Sequence, residues 1–215
     1  MSNRSALKRW DIYDEVVLAD GPIGYWPLTA SDKQQDLSGN GRHLTTTWGT
    51  PAFSNNAFIG TSAALASTCR VPQSMYSMEV WVKPNNTDPG GCSPLSDYSG
   101  SGVMYYFLTN QEVRIVHGGT NTKTGTILPI NEWSHLFTRW SGTTRRLYVN
   151  GTQVWSGDIS GAPGLGQKTR ISSYSLDSDG PNRLWRGWLR RAAWYSTVLT
   201  DTRIAAHYQA GLRLG

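Results

Sequence analysis

The segment RRLYVNGTQVW, Arg145 to Trp155, constrains the fold of this chain more than any other. Asn150-Gly151 stands between two runs of alternating apolar and polar residues. Both central positions of a type I′ turn need φ > 0, which Gly adopts freely and Asn tolerates, so the pair predicts a two-residue β-hairpin. Much of the remaining chain follows the same period of two. YSMEVWVKP sets Met78, Val80 and Val82 against Ser77, Glu79, Trp81 and Lys83, the pattern of a half-buried strand closed by Pro84. VMYYFL, EVRIVH, HLFTRW and TRISSY are further short runs rich in β-branched and aromatic residues. Two helices are expected. The first covers Asp11 to Ala19, with Ile12, Val16 and Ala19 on one stripe and Asp20-Gly21-Pro22 as its stop. The second, DTRIAAHYQA, is capped by Thr200, turns Ile204, Ala205 and Tyr208 inward and ends at Gly211. Loops rich in Gly, Ser, Asn and Pro fall at 84–102, 118–125 and 156–167. Many short strands with turn signals between them predict an all-β fold, an antiparallel β-sandwich or jelly roll with a short N-terminal and a short C-terminal helix. Residues 1–10 read as an arm ahead of a single domain, 11–215.

No stretch is long and apolar enough to span a bilayer, and MSNRSALKRW lacks the apolar segment of a secretory signal. The net charge of +5 is uneven: residues 1–138 carry nine basic and eleven acidic side chains, residues 139–215 eleven basic and four acidic. Such asymmetry marks either a surface for an acidic partner or a solvated basic face. Cys69 and Cys92 match no zinc spacing or CxxC pattern and are expected as free, partly buried thiols. No cofactor and no metal site are expected.

The chain also lacks recognisable catalytic patterns. Glycoside hydrolysis normally needs two carboxylates flanking one bond, yet the four glutamates, Glu15, Glu79, Glu112 and Glu132, are scattered. There is no G-x-S-x-G and no H-E-x-x-H, and His43, His117, His135 and His207 stand apart. A non-enzymatic protein is expected.

The order GPIGYWPL, DLSGNGRHL, MEVWVKP, NEWSHLFTRW, RRLYVNGTQVW and RGWLRRAAWYSTVLTDTRIAAHYQAG resembles laminin-G-like domains of the concanavalin A-like lectin/glucanase superfamily, over about residues 13–211. The resemblance implies a concanavalin A-like jelly roll. It also implies an early strand-to-strand turn at DLSGNG, where Asp36 and Ser38 accept backbone hydrogen bonds and Gly39-Asn40-Gly41 supply left-handed backbone. The opening YDEVVLADGPIGYW, Tyr13 to Trp26, is similar to that of domains in virion proteins of tailed bacteriophages. That likeness implies a minor tail or capsid-decoration protein, located on the virion after assembly in the bacterial cytoplasm. Its partners would be other virion proteins, with a host cell-surface glycan as candidate ligand and oligomers on the particle; neither membrane nor direct nucleic-acid binding is expected. The family tends to carry an acidic residue in a G-x-I-D strand, where this chain has Arg190 and Arg191 in GWLRRAAWY. Alternatives are a purely structural adaptor and a carbohydrate-active enzyme.

Aromatic faces are the remaining functional signal, because pyranose C–H groups pack on them. Trp26, Trp81, Trp133 and Trp194 lie in strand motifs and are expected in the core or on a sheet face. Trp48, Tyr98 and Trp185 lie nearer loops and are the candidate ligand contacts. Arg4, Lys8, Arg9 and Trp10 of the arm are the candidate docking residues for another virion protein.

Overall fold

The computed structural model describes residues 12–54, 56–85, 91–97, 102–108, 110–159, 161–164, 168–173 and 184–213. The expected hairpin is present. Asn150 (φ 53°) and Gly151 (φ 76°) join β12 (Thr144–Val149) to β13 (Thr152–Asp158). Asn150 also reaches sideways to β11 (Ser134–Trp140). Its Oδ1 accepts from the His135 N–H at 2.9 Å, and its own N–H donates to the His135 carbonyl at 2.9 Å.

From this hairpin the first sheet runs β13–β12–β11–β6 (Tyr76–Pro84)–β15 (Gly187–Tyr195)–β4 (Ala57–Ile59)–β3 (Phe53–Ser54), with β1 (Gly24–Trp26) also paired to β15. The second runs β10 (Thr120–Ile127)–β9 (Glu112–His117)–β8 (Val103–Phe107)–β7 (Leu95–Asp97)–β14 (Thr169–Ile171)–β5 (Ala63–Ser67)–β2 (Thr45–Gly49). The described pairings are antiparallel. The sheets enclose one core, to which β6 contributes Met78, Val80 and Val82 as its alternation requires. Trp26 and Trp194 lie in it as expected, and Cys69 and Cys92 are buried and form no disulfide.

The other face of β6 departs from a half-wet strand. Ser77, Glu79 and Trp81 are as buried as the valines, because α1 (Ile12–Ala19) and α2 (Asp201–Leu212) cover that side of the first sheet. Tyr13, Val17, Tyr25, Trp81, Phe137, Tyr195 and Ile204 form a second apolar layer there. The helix stripes shift accordingly. α1 buries Tyr13, Asp14 and Val17, not the Ile12–Val16–Ala19 stripe, and leaves Ile12 and Ala19 exposed. α2 buries Ile204, His207, Ala210 and Gly211, while Ala205 and Tyr208 are half-buried. Thr200 caps α2 as expected, its hydroxyl accepting from the Arg203 N–H at 3.3 Å. Gly211 does not stop the helix. It lies within it, where a Cβ would come 2.0 Å from the Trp81 ring, so the glycine sets how closely helix and sheet approach.

Glu79 sits at the centre of this second layer, fully buried. Tyr13 Oη (3.0 Å), Tyr195 Oη, His135 Nε2 (2.7 Å) and His207 Nδ1 (3.0 Å) all donate to its two oxygens. His207 Nε2 lies 2.7 Å from Asp20, which also accepts from Arg203 Nε at 2.9 Å. With a carboxylate on each ring nitrogen, His207 must donate twice and is therefore an imidazolium. Burial alone would lower its pKa, but the Glu79 charge and the hydrogen bonds to Glu79 and Asp20 raise it. His135 is the opposite case. Burial lowers its pKa, and its Nδ1 is buried without a partner, so it stays neutral. Burial by itself would raise the pKa of Glu79, yet the charge of His207 and the hydrogen bonds from both histidines hold it well below the usual carboxylate range. One carboxylate thus ties three strands to both helices.

Part of the excess positive charge after residue 138 is internal. Arg145, Arg170, Arg190 and Arg191 are buried, four of the eleven basic side chains in that segment. Arg145 lies between the sheets, donating from Nη1 to the Val116 carbonyl at 2.8 Å with its guanidinium over the Tyr76 ring. The charge asymmetry is therefore not simply a surface property. Among the described residues no helix is long and apolar enough to cross a membrane.

Two outcomes follow. Gly→Ala inside a helix normally stabilises by about 1 kcal/mol. At Gly211 the Trp81 ring reverses the sign, and Gly211→Ala is expected to lower the melting temperature, with an overpacking cost of roughly 1–3 kcal/mol. Because the His207 pKa is raised on folding, its contribution is complete below the ordinary imidazole value and declines as pH rises through the folded pKa. The difference in melting temperature between the parent chain and His207→Gln should accordingly be larger at about pH 6 than at about pH 9.

Candidate functional site

Of the residues proposed from sequence as ligand contacts, Trp48 lies on the edge strand β2, 38% exposed, beside a bulge between Thr46 and Trp48. Tyr98 and the arm residues Arg4, Lys8, Arg9 and Trp10 lie outside the described residues. Trp185 is the correction. It is fully buried between the sheets, edge-on to Phe107 with ring centroids 4.8 Å apart. Its peptide N–H donates to the Ser172 carbonyl, which draws the approach to β15 inward and leaves the indole no exposed face for a ligand.

DLSGNG is a structural turn. Asp36 accepts from the backbone N–H of Tyr25 (3.0 Å), Ser38 (2.9 Å) and Arg42 (2.8 Å), and Gly39 and Gly41 take the left-handed backbone. Burial works against the Asp36 charge, but these hydrogen bonds outweigh it and lower the pKa. Its oxygens are committed to the backbone. Among the described residues no group of three or more His, Cys, Asp or Glu is placed to hold a metal ion.

Glu79 is similarly committed. Its four donors fill the acceptor positions a carboxylate offers, and the residue is sealed beneath both helices. It has neither a lone pair nor access for a general base or nucleophile. The burial of His135 and His207 in the same network gives them a structural role.

The open site on this face lies farther along the same strands. A cleft of about 300 Å³ is lined by Ser54, Asn56 and Ala57 of the β3–β4 hairpin, Lys83 of β6, Trp188 and Arg190 of β15, and Trp133 just before β11. Strand register explains the grouping. Trp188 stands directly opposite Lys83 and Arg190 opposite Trp81, which places these side chains on the face away from the sandwich core. The β15–β6 register then shifts between Arg190 and Ala193, with Arg191 at φ 55°. This extra residue lets Leu189, Ala192 and Trp194 all face the core. It also leaves two consecutive arginines on the outer side, where Arg190 lies 4.2 Å over the Trp133 ring and 5.1 Å over Trp81, and Arg191 lies 5.0 Å over Tyr13. Arg190 and Arg191 therefore serve the outer face.

In the cleft, Lys83 Nζ lies 5.5 Å over the Trp188 ring. Trp133 is half-buried with one side against the second apolar layer, rather than fully packed. The site offers indole walls, an amide, a hydroxyl and two cations, and among the described residues no carboxylate lines it. A volume near the lower end of the ligand-pocket range suits one sugar ring or a short saccharide. Trp48, on the other sheet, is not among its lining residues. Trp188, Lys83, Asn56 and Ser54 were not singled out in the sequence. The available signal was parity: Lys83, Trp188 and Arg190 occupy the alternate positions that point away from the core.

Solved structures resemble this architecture. Domain 4 of AbnA, an extracellular GH43 arabinanase from Geobacillus stearothermophilus in complex with arabinotriose, is 16% identical with a TM-score of 0.70, covering 86% of this chain and 97% of that one. The ligand-binding domain of botulinum neurotoxin serotype D in complex with N-acetylneuraminic acid is 13% identical with a TM-score of 0.70, covering 89% of this chain and 52% of that one. The binding domain of Paraclostridial Mosquitocidal Protein 1 is 14% identical with a TM-score of 0.70, covering 90% and 53%. This chain thus spans about half the length of those two binding domains and nearly all of the arabinanase domain. At such identities the likeness is one of fold. No curated protein matches the chain by sequence. The family model Laminin_G_3, of the concanavalin A-like lectin/glucanases superfamily, matches residues 40–205, and the chain belongs to that family.

Proposed function

We propose that this chain is a non-catalytic carbohydrate-binding protein whose lectin-like sandwich holds a saccharide in the Trp133–Trp188 cleft. The observation that carries the reading is the cleft itself, in which aromatic walls and hydrogen-bond donors converge and, among the described residues, no carboxylate is placed to perform acid–base chemistry. Sugar rings present apolar C–H faces and polar rims, and this combination meets both. A structural adaptor calls for no such cleft, and a glycosidase needs facing acids within it. The saccharide complexes of the arabinanase domain and of the serotype D toxin domain are consistent with this use of the fold.

The setting we propose is a tailed-bacteriophage particle, with the protein as an accessory of tail or capsid and a host-surface glycan as ligand. Support comes from the YDEVVLADGPIGYW opening. Residues 1–10, with Trp10 as aromatic anchor and Arg4, Lys8 and Arg9 around it, would attach it to another virion protein.

Trp188→Ala tests the site. An aromatic anchor contributes on the order of 2 kcal/mol, so binding to host cell-surface polysaccharide should weaken by more than about tenfold while the melting temperature changes little. Trp48→Ala serves as the comparison and should bind normally. Full binding by Trp188→Ala with loss in Trp48→Ala would move the site to the β2 edge. Full binding by both would reject carbohydrate recognition at either.

A further inference from the structure

The cleft departs from a bare sugar-stacking platform, and the departure points to its ligand. Both of its indoles already carry a cation: Lys83 lies over Trp188 and Arg190 over Trp133. A cation over each ring places positive charge beside any sugar that packs on the cleft walls. Among the described lining residues there are two cations and no acid, and Lys83 has no ion-pair partner among the described residues. We propose that the cleft selects an acidic saccharide, one carrying a carboxylate; this inference rests on the carbohydrate-binding reading above.

Three features support the choice. Lys83 and Arg190 stand on adjacent strands, each opposite an aromatic residue of the other strand, so the two cations are diagonal neighbours on one face, about 7 Å apart at the backbone. A carboxylate placed between them lies in the field of both. The guanidinium of Arg190, buried and sandwiched against Trp133 and Trp81, is held in place before a ligand arrives. Little of its side-chain entropy remains to be lost when an anion approaches. Packing against indole also strips water from one side of each cation, which strengthens its attraction for an anion. Asn56 and Ser54, on the hairpin across the cleft, are then available for ring hydroxyls.

The experiment compares saccharides of equal length by calorimetry: oligogalacturonate, oligomannuronate and sialyllactose against neutral galacto-oligosaccharides, with a sulfated galacto-oligosaccharide as a second anion. The parent chain, Lys83→Gln and Trp188→Ala are measured, with melting temperatures as a check on folding. The proposal requires that at least one carboxylated sugar bind about tenfold or more tighter than its neutral counterpart, that Lys83→Gln remove most of that margin, and that added salt reduce it. Equal binding of neutral and carboxylated sugars, or binding of the sulfated sugar alone, overturns the acidic selectivity while leaving the carbohydrate reading intact if Trp188→Ala abolishes that binding. No binding by any of these sugars, or binding that ignores Trp188→Ala, overturns both.

Discussion

Glu79 accepts hydrogen bonds from Tyr13, Tyr195, His135 and His207, and the arrangement of the outer face depends on that set. A buried carboxylate is costly unless it is paired and its lone pairs are filled. Both conditions are met here. The imidazolium of His207 supplies one positive charge to Glu79 and is itself shared with Asp20, which Arg203 balances. The donors come from both helices and from two neighbouring strands, so undocking either helix would expose an unsatisfied charge. Burial of Tyr13, Val17 and Ile204 supplies the attraction between helix and sheet. The carboxylate supplies geometric demand, because the donors can be satisfied together in one arrangement.

The cleft follows from where that covering ends. Trp81 packs beneath α2 in stacked contact with His135 and Tyr208, and the Arg190 guanidinium lies over its ring. The same guanidinium covers Trp133, so the apolar layer passes directly into the cleft wall. Beyond this point neither described helix shields β6 and β15, and Lys83 and Trp188 become partly open. The bulge at Arg191 matters to both regions. It keeps Ala192 and Trp194 directed at the core while adding a second arginine to the outer face. One carboxylate-centred layer and one cation-lined cleft thus occupy consecutive stretches of the same strands, the first closed to solvent and the second open.

Local chemistry explains which features were legible in the sequence. Asn150-Gly151 was readable because two positive φ values in succession admit few residues. The Thr200 cap, the DLSGNG turn and the Met78–Val80–Val82 core face were readable for similarly local reasons. What escaped depended on contacts between distant segments. Alternation in YSMEVWVKP distinguishes two faces without saying that helices cover the second, so Glu79 looked like an isolated acid. The α1 stripe was misplaced because Tyr13 and Asp14 are buried to meet Glu79 and Tyr25, a demand that apolar periodicity does not register. Trp185 looked like a loop residue, yet its side chain fills space against Phe107. Gly211 resembled a helix stop, but the nearby Trp81 ring explains it. Trp133 and Trp188 gain their meaning from the cations set over them by strand register.

The central physical claim is that Glu79 is a structural charge held by one protonated and one neutral histidine, and is unavailable for catalysis. Nitrogen NMR of the imidazole rings across a pH titration of the folded chain tests this most directly. The account predicts that His207 is doubly protonated at neutral pH and deprotonates only above the ordinary imidazole range. It also predicts that His135 remains neutral, protonated at Nε2, through that range. A neutral His207 at pH 7, or two rings titrating together near the ordinary imidazole value, would contradict it.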